Sequence, residues 1–391
     1  MCRLWLMAAL LLPLSVSANY WQGQSLSEDW QQYLARSTQL LKQDAAALAA
    51  QQQGKALTAA SKHKQFGLTS INSDTEAIGV LSFQTPSGGW SKRSDMRITR
   101  QTGQHFGSEL DYVPTFDNDA TSTQLHWLAD FYPQASSQLQ QRIALALERG
   151  VALVLTAQYP NGGFPQSYPL RGSYHDAITL NDNALYQLMQ LLWQVANEPR
   201  FAMLADSTKT AANAAFYRAV DWLLANQVMV NGKRTVWGAQ HHPLKGKPVT
   251  ARKYEKAALV SSESAKLLQL LLRHAADYPG VAPSLAAGAN WLRQKQIQDK
   301  DRHRDADGRL SLIDSPGSVV WSRFYDLQTG QPVFFDRDGQ TYHDVSALSL
   351  ERQRGYGWYQ SVATEFLVEY DNVIQKNQRT KPETSITIIE I

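Results

Sequence analysis

The chain has 391 residues, 43% of them hydrophobic and 19% charged, which supports a large packed core and excludes wholesale disorder. Lys and Arg number 38 against 35 Asp and Glu, a formal charge of +3. So slight an excess argues against a dedicated nucleic-acid binder, which carries a strong basic face.

The first segment reads as a leader rather than as fold. Arg3, the apolar run Leu4 to Leu14 and the small residues Val16-Ser17-Ala18 have the pattern of a signal peptide over residues 1–18, and predict a secreted or periplasmic protein. The run is too short to span a bilayer comfortably, and no later run approaches the needed length, so no membrane contact is expected. Cys2 is the sole cysteine and falls in that leader. The remaining chain is therefore expected to lack disulfides, thiolate metal sites and a cysteine nucleophile, and to hold together by its core alone.

Helices are predicted over Ser27–Gln53, Thr121–Tyr132, Ser136–Gln158, Asn183–Val195, Asn213–Asn226 and Tyr254–Ala276, where apolar residues recur at helical spacing. No Gly/Ser-rich or Pro-rich linker divides them. The expected organisation is an N-terminal helical region over 19–75, a catalytic region over 76–375 and a loosely attached tail over 376–391. A weak repeat runs through the pattern: an apolar helix end, a Gln, then a turn and an aromatic. It occurs as Gln84 to Gly88-Gly89-Trp90, Gln158 to Gly162-Gly163-Phe164, and Gln227 to Val236-Trp237-Gly238. These units lie roughly 70 positions apart, the length of a helical hairpin plus a long loop, as in toroids of paired helices. The repeated loops would meet at one end of the ring and form a groove.

Four polar clusters fall in such loops. Asp117-Asn118-Asp119 and Asn181-Asp182-Asn183 each precede a predicted helix. Both suit helix capping. Side by side they also suit a hard cation, which takes carboxylate and carbonyl oxygens; Asp117, Asp119 and Asp182 are too few to cage it without an anionic ligand or water. Tyr159 to Gln166 is a rigid aromatic loop that could wall a groove. Arg252, Arg323, Arg337 and Arg352 stand near loops, where guanidinium forks match carboxylates but equally form ordinary surface pairs. His303 to Asp314 has Asp and Gly at some positions of a calcium loop but begins with His and ends with Asp, and is set aside. His241-His242 lacks zinc-site spacing, and Ser261-Ser262-Glu263-Ser264 lacks a nucleophile-elbow context.

Taken together the clusters resemble family 10 polysaccharide lyases, a group of secreted pectate lyases. The resemblance rests on nine stretches in order between about residues 80 and 360, among them Phe116-Asp117-Asn118-Asp119-Ala120-Thr121, Thr179 to Ala184, Ala251-Arg252 through Glu255, Arg323-Phe324-Tyr325-Asp326, Arg337-Asp338-Gly339 and Gly355-Tyr356-Gly357-Trp358-Tyr359. It implies a mainly α-helical (α/α)₃ toroid-like barrel whose long loops form a groove, and Ca²⁺-dependent β-elimination of polygalacturonate; a monomer is expected. By motif position, Asp117 and Asp182 are implied as calcium-binding carboxylates. Asn118, Arg252, Arg352 and Tyr159 are implied as substrate-binding residues. Arg337 is implied as the catalytic base, with Arg323 the other candidate. Ser91, Phe164, Gly238 and His242 depart from the family pattern and are expected to line the groove. In a uronate the C5 hydrogen lies next to a carboxylate, so charge develops there as it leaves, and cations bound to that carboxylate stabilise it. An inverting glycoside hydrolase on a similar toroid is the rival reading; it needs two carboxyl groups flanking the bond, one kept protonated. A non-catalytic uronate-binding protein is the third.

Overall fold

The structure, a computed structural model, describes residues 20–52, 56–110 and 113–379; the leader and residues 380–391 of the expected tail lie outside them. Among the described residues the helices are α1 (Glu28–Ala49), α2 (Asp74–Ser82), α3 (Ser122–Phe131), α4 (Ser137–Ala157), α5 (Ala184–Asn197), α6 (Asp206–Asn226), α7 (Ser261–His274), α8 (Val281–Gln294), α9 (Leu350–Gly355) and α10 (Ala363–Arg379). None is long and apolar enough to cross a membrane. Apolar spacing explains how they pack. On α5, Leu185, Leu188, Met189, Leu192 and Val195 are buried, the i, i+3, i+4 stripe of a helix with one face inward.

The hairpins α3–α4, α5–α6 and α7–α8 form the scaffold. α3 packs on α5 and α5 on α7 as an inner row; α4 packs on α6 outside it, and α10 lies against α7 and α8. This is the helix-dominated toroid of paired helices that the repeat suggests. α1 packs on it: Tyr33 Oη donates to Ala157 O at 2.9 Å, and Ser87 N–H donates to Asp44 at 2.8 Å.

The repeat has a physical cause. Each of its three glutamines sits just past an outer helix and donates twice from one buried amide. Gln84 Nε2 reaches Gly88 O at 2.7 Å and Ala146 O at 2.8 Å. Gln158 Nε2 reaches Gly162 O at 3.0 Å and Ala215 O at 2.8 Å. Gln227 Nε2 reaches Thr235 O at 2.7 Å and Ser284 O at 3.1 Å. One side chain thus closes its own turn and ties it to the next outer helix (α4, α6, α8). The glycines at +116° and +96° of φ, Gly88 and Gly162, have their Cα against carbonyls of Arg149 and Arg218, where a Cβ has no room. Gln158→Leu removes both donors and strands buried carbonyls, so it is expected to cost about 2 kcal/mol; the urea unfolding midpoint measures it.

The predicted helices end differently in places. α6 begins seven residues before Asn213, and α7 begins at Ser261 rather than Tyr254. Residues 254–260 are held elsewhere: Glu255 pairs with Arg252, and Leu259–Val260 pairs antiparallel with Phe324–Tyr325. Tertiary pairing overrides helical propensity there. The reading as nearly all helix also missed a long antiparallel hairpin, Ile297–Arg304 with Leu310–Ser322. The calcium-loop lookalike is its turn, where Asp305 Oδ1 accepts from Arg309 N–H at 2.8 Å.

Candidate active site

The loops between helices converge at one end and enclose a cleft of about 530 Å³. Asp117, Asn118, Asp182, Arg252, Arg323, Arg337 and Arg352 all line it. Residues spread over more than two hundred positions are brought together: Asp117, Asn118, Asp182 and Arg252 on loops that follow α2, α4 and α6, Arg323 and Arg337 after the long hairpin, and Arg352 on α9.

The two acidic turns are alike. Asp117–Asp119 and Asn181–Asn183 are single 3-10 turns packed against each other, with left-handed backbone at Asn118, Asp119, Asp182 and Asn183. Asn and Asp tolerate that region better than other side chains, and holding it costs on the order of 1–3 kcal/mol per residue, typical of functional sites. The first turn is pinned by Thr121, whose Oγ1 accepts from Trp90 N–H at 3.0 Å and donates to Thr115 O at 2.9 Å. The second is pinned by Asn181 N–H donating to Ala239 O at 2.9 Å.

Asp117 is buried, pairs with Lys92 through one oxygen, and its Oδ1 is buried with no hydrogen-bond partner. Asp182 is partly exposed and accepts from Arg323 at 2.9 Å and from Asn181 at 2.8 Å. An unpartnered carboxylate oxygen beside a second carboxylate fits a hard cation. No group of three His, Cys, Asp or Glu forms a cage among the described residues, so a ligand anion or water must complete the shell. Asp119 faces a neighbouring cavity, and burial raises its pKa above the usual carboxylate range.

The arginines differ sharply. Arg323 is buried between Glu263, which it meets through Nε at 3.1 Å, and Asp182. Burial alone would lower its pKa, but Glu263, Tyr356 and Asp182 outweigh that and hold it well above the ordinary value. Its resting contacts hold it as a cation against Asp182. Arg352 is buried over the rings of Tyr356 and Trp358 at 4.5 and 5.1 Å, and its Nη2 has no partner. That is an open donor for a carboxylate. Arg337 is exposed at the rim, paired with Glu351 at 2.6 Å and donating to Tyr254 Oη at 2.9 Å; the Glu351 hydrogen bond raises its pKa. Arg252 is half-buried and pairs with Glu255, Nε to Oε2 at 2.7 Å. Burial works to lower its pKa and the Glu255 pair outweighs it, so the net direction is up.

Tyr159 does not reach the cleft. It is buried, donates to Asp176 O at 2.6 Å and packs against Trp30 and Tyr33 at 5.2 and 4.9 Å. An aromatic in a Pro/Gly loop was read as a groove wall, whereas apolar burial against α1 claims it. Likewise Ser91, Phe164 and Gly238 are interior, and His242 packs edge-on against Tyr20 at 5.0 Å; none of the four lines the cleft. Lys92, Glu255 and Glu263 were missed. Glu263 stands among the serines that open α7 and is 2% exposed; a charge so buried needs a partner.

Two further groups titrate unusually near this end. Burial, then Lys92, Arg171 and Arg252, push His175 down to about 3, so it is neutral at ordinary pH. Burial pushes Asp176 up to about 6, against the N–H groups of Arg171 and Gly172, each at 2.9 Å. Its native pKa exceeds the unfolded value near 3.9, so its contribution is full below about pH 4 and is lost as pH rises through 6, by roughly 2–3 kcal/mol. The urea midpoint of Asp176→Asn, compared with the parent from pH 4 to 7, is expected to lose that part of the slope.

A protein-family model described as pectic acid lyase matches residues 84–367, most of the chain. The chain belongs to the pectic acid lyase family. A family 10 polysaccharide lyase from Cellvibrio cellulosa is 31% identical, with 77% of this chain and 92% of that one covered and a TM-score of 0.69. An aspartate-to-alanine mutant of the family 10 lyase from the same organism, in complex with trigalaturonic acid, gives 30%, 77%, 93% and 0.69. No curated protein matches. This pectic acid lyase is therefore a polysaccharide-cleaving enzyme, and the hydrolase and passive-binder readings fall away.

Proposed function

We propose that the enzyme cleaves polygalacturonate by Ca²⁺-dependent β-elimination, with the metal at Asp117 and Asp182 and with Arg252 taking the C5 proton. The observation that carries the metal site is the buried, unpartnered Asp117 Oδ1 beside Asp182. Charge balance supports it. The cleft is lined by six cationic side chains and five carboxylates, too even a mixture to hold a polyanion on its own. Calcium, when bound, supplies positive charge to the uronate carboxylate on which negative charge grows as the proton leaves.

The chain's own groups do the rest. Arg352 and Asn118 hold substrate oxygens at the cleft wall, and Arg323 keeps Asp182 oriented. The resemblance points to Arg337 as base; the geometry favours Arg252. Arg337 stands at the solvent rim, where its charged neighbours are Glu351 and Arg252. Arg252 is the less exposed of the two, its side chain 39% accessible against 52% for Arg337, and it lines the same cleft as both acidic turns. The base must reach C5 next to the metal-held carboxylate, and a half-buried guanidinium suits that better than one at the rim. Arg337 then serves an adjacent uronate carboxylate.

Deprotonating an arginine at pH 7 costs roughly 7 kcal/mol from an ordinary pKa near 12.5. The Glu255 pair holds Arg252 above that ordinary value, so its neutral form is scarce at neutral pH and the rate is expected to climb into the alkaline range. Polygalacturonate incubated with the enzyme is expected to yield ultraviolet-absorbing unsaturated ends with calcium present and none after chelation. Reducing ends without unsaturation would sink the proposal. The leader over residues 1–18 supports a secreted or periplasmic location.

A further inference from the structure

Beside the catalytic cleft lies a larger cavity of about 980 Å³. It shares Arg93, Asn118 and Asp182 with the cleft, so the two form one continuous depression. Its far wall is made by residues 62–69, which precede the stretch matched by the family model. That wall is stitched to the body by main-chain hydrogen bonds. His63 N–H donates to Arg93 O at 2.7 Å, Asp95 N–H to Ser61 O at 2.8 Å and Met96 N–H to Phe66 O at 2.9 Å. Phe66 is buried and meets Trp127 edge-on at 5.8 Å, leaving the partly exposed indole on the cavity lining.

The wall is cationic. Lys62, Lys64 and Arg93 line the cavity on this side, and Lys62 and Arg93 share one carboxylate, Glu109, at 3.0 and 3.4 Å. Lys64 is exposed on the same wall and has no ion-pair partner among the described residues. Arg93 Nη2 also donates to Asn118 Oδ1 at 3.2 Å, which joins the cationic wall to the first acidic turn.

We infer that this wall is an additional binding region for the polyuronate chain, taking units beyond those at the acidic turns and setting a preference for long substrate. Lys64 and Arg93 meet carboxylates, and Trp127 offers its face to the C–H side of a sugar ring. Asp119 and Asp182 confine like-charged groups to the cationic side of the cavity. The inference rests on the lyase reading above.

The test compares trigalacturonate with long polygalacturonate at low ionic strength and saturating calcium. Lys64 is exposed, so Lys64→Glu is expected to fold normally. Its KM on the polymer is expected to rise about fivefold, the scale of an exposed ion pair, with kcat held. On the trimer KM is expected to move by less than about twofold, and Lys64→Arg restores the polymer value. Equal changes on both substrates, or none on the polymer, overturn the inference while leaving the lyase reading intact. A parent enzyme that makes no unsaturated product from either substrate overturns both.

Discussion

Arg252→Ala is expected to lower kcat on polygalacturonate by about 10²–10⁴-fold, the usual worth of a general base, with Kd for the uncleaved substrate nearly unchanged. Calorimetric binding of substrate to the inactive variant checks the second half. Arg252→Lys is the sharper variant. The base acts in its neutral form, and the neutral fraction rises with pH up to the pKa. Lysine ionises near 10.4 against about 12.5 for arginine, so a lysine base should reach its plateau roughly two pH units lower. A guanidinium that only binds a carboxylate would leave the shape of the profile alone and raise KM. The same pair of substitutions at Arg337 is expected to raise KM without moving the profile. If Arg337→Lys shifts the profile and Arg252→Lys does not, the roles are exchanged.

Asp117→Asn is the second large effect. Oδ1 keeps its place, but the formal charge that attracts a divalent ion is gone, and half-maximal rate is expected to need about 100-fold more calcium. At saturating calcium much of kcat should return, because Asn still offers an oxygen. A calcium titration of the rate, with the folded state checked by circular dichroism, separates this from collapse of the turn. Loss of activity that no calcium concentration relieves would assign Asp117 to holding Lys92 instead. Asp182 is the less clean position, since its removal also strips a partner from buried Arg323, and a buried unpaired charge is destabilising in itself.

The sequence determined part of the helical scaffold, with α2, α8 and α10 not among the predicted helices. Apolar residues at helical spacing place α3, α4 and α5 within two residues of their ends, because the inward stripe and the terminating turn are both local. The recurring Gln with its following turn was visible as a repeat; its meaning, one amide tying a turn to the next outer helix, required the neighbouring helix to be in place. Asp117, Asn118 and Asp182 stood out as paired acid-and-amide turns before helices, a pattern that suits capping as well as a cation. Arg323 and Arg352 were legible as types but not as roles.

What only the tertiary structure decided is which charges meet. Arg323 becomes a locked cation because Glu263, sixty positions away, is buried against it. Arg337 stays at the rim while Arg252 sits deeper, and Tyr159 turns into the core against α1. Burial and partner distance control proton affinity and reach, and neither is a property of the local chain. The wall of residues 62–69 is the same case: Lys64 reads as an ordinary surface lysine until backbone hydrogen bonds set it across a cavity from the acidic turns.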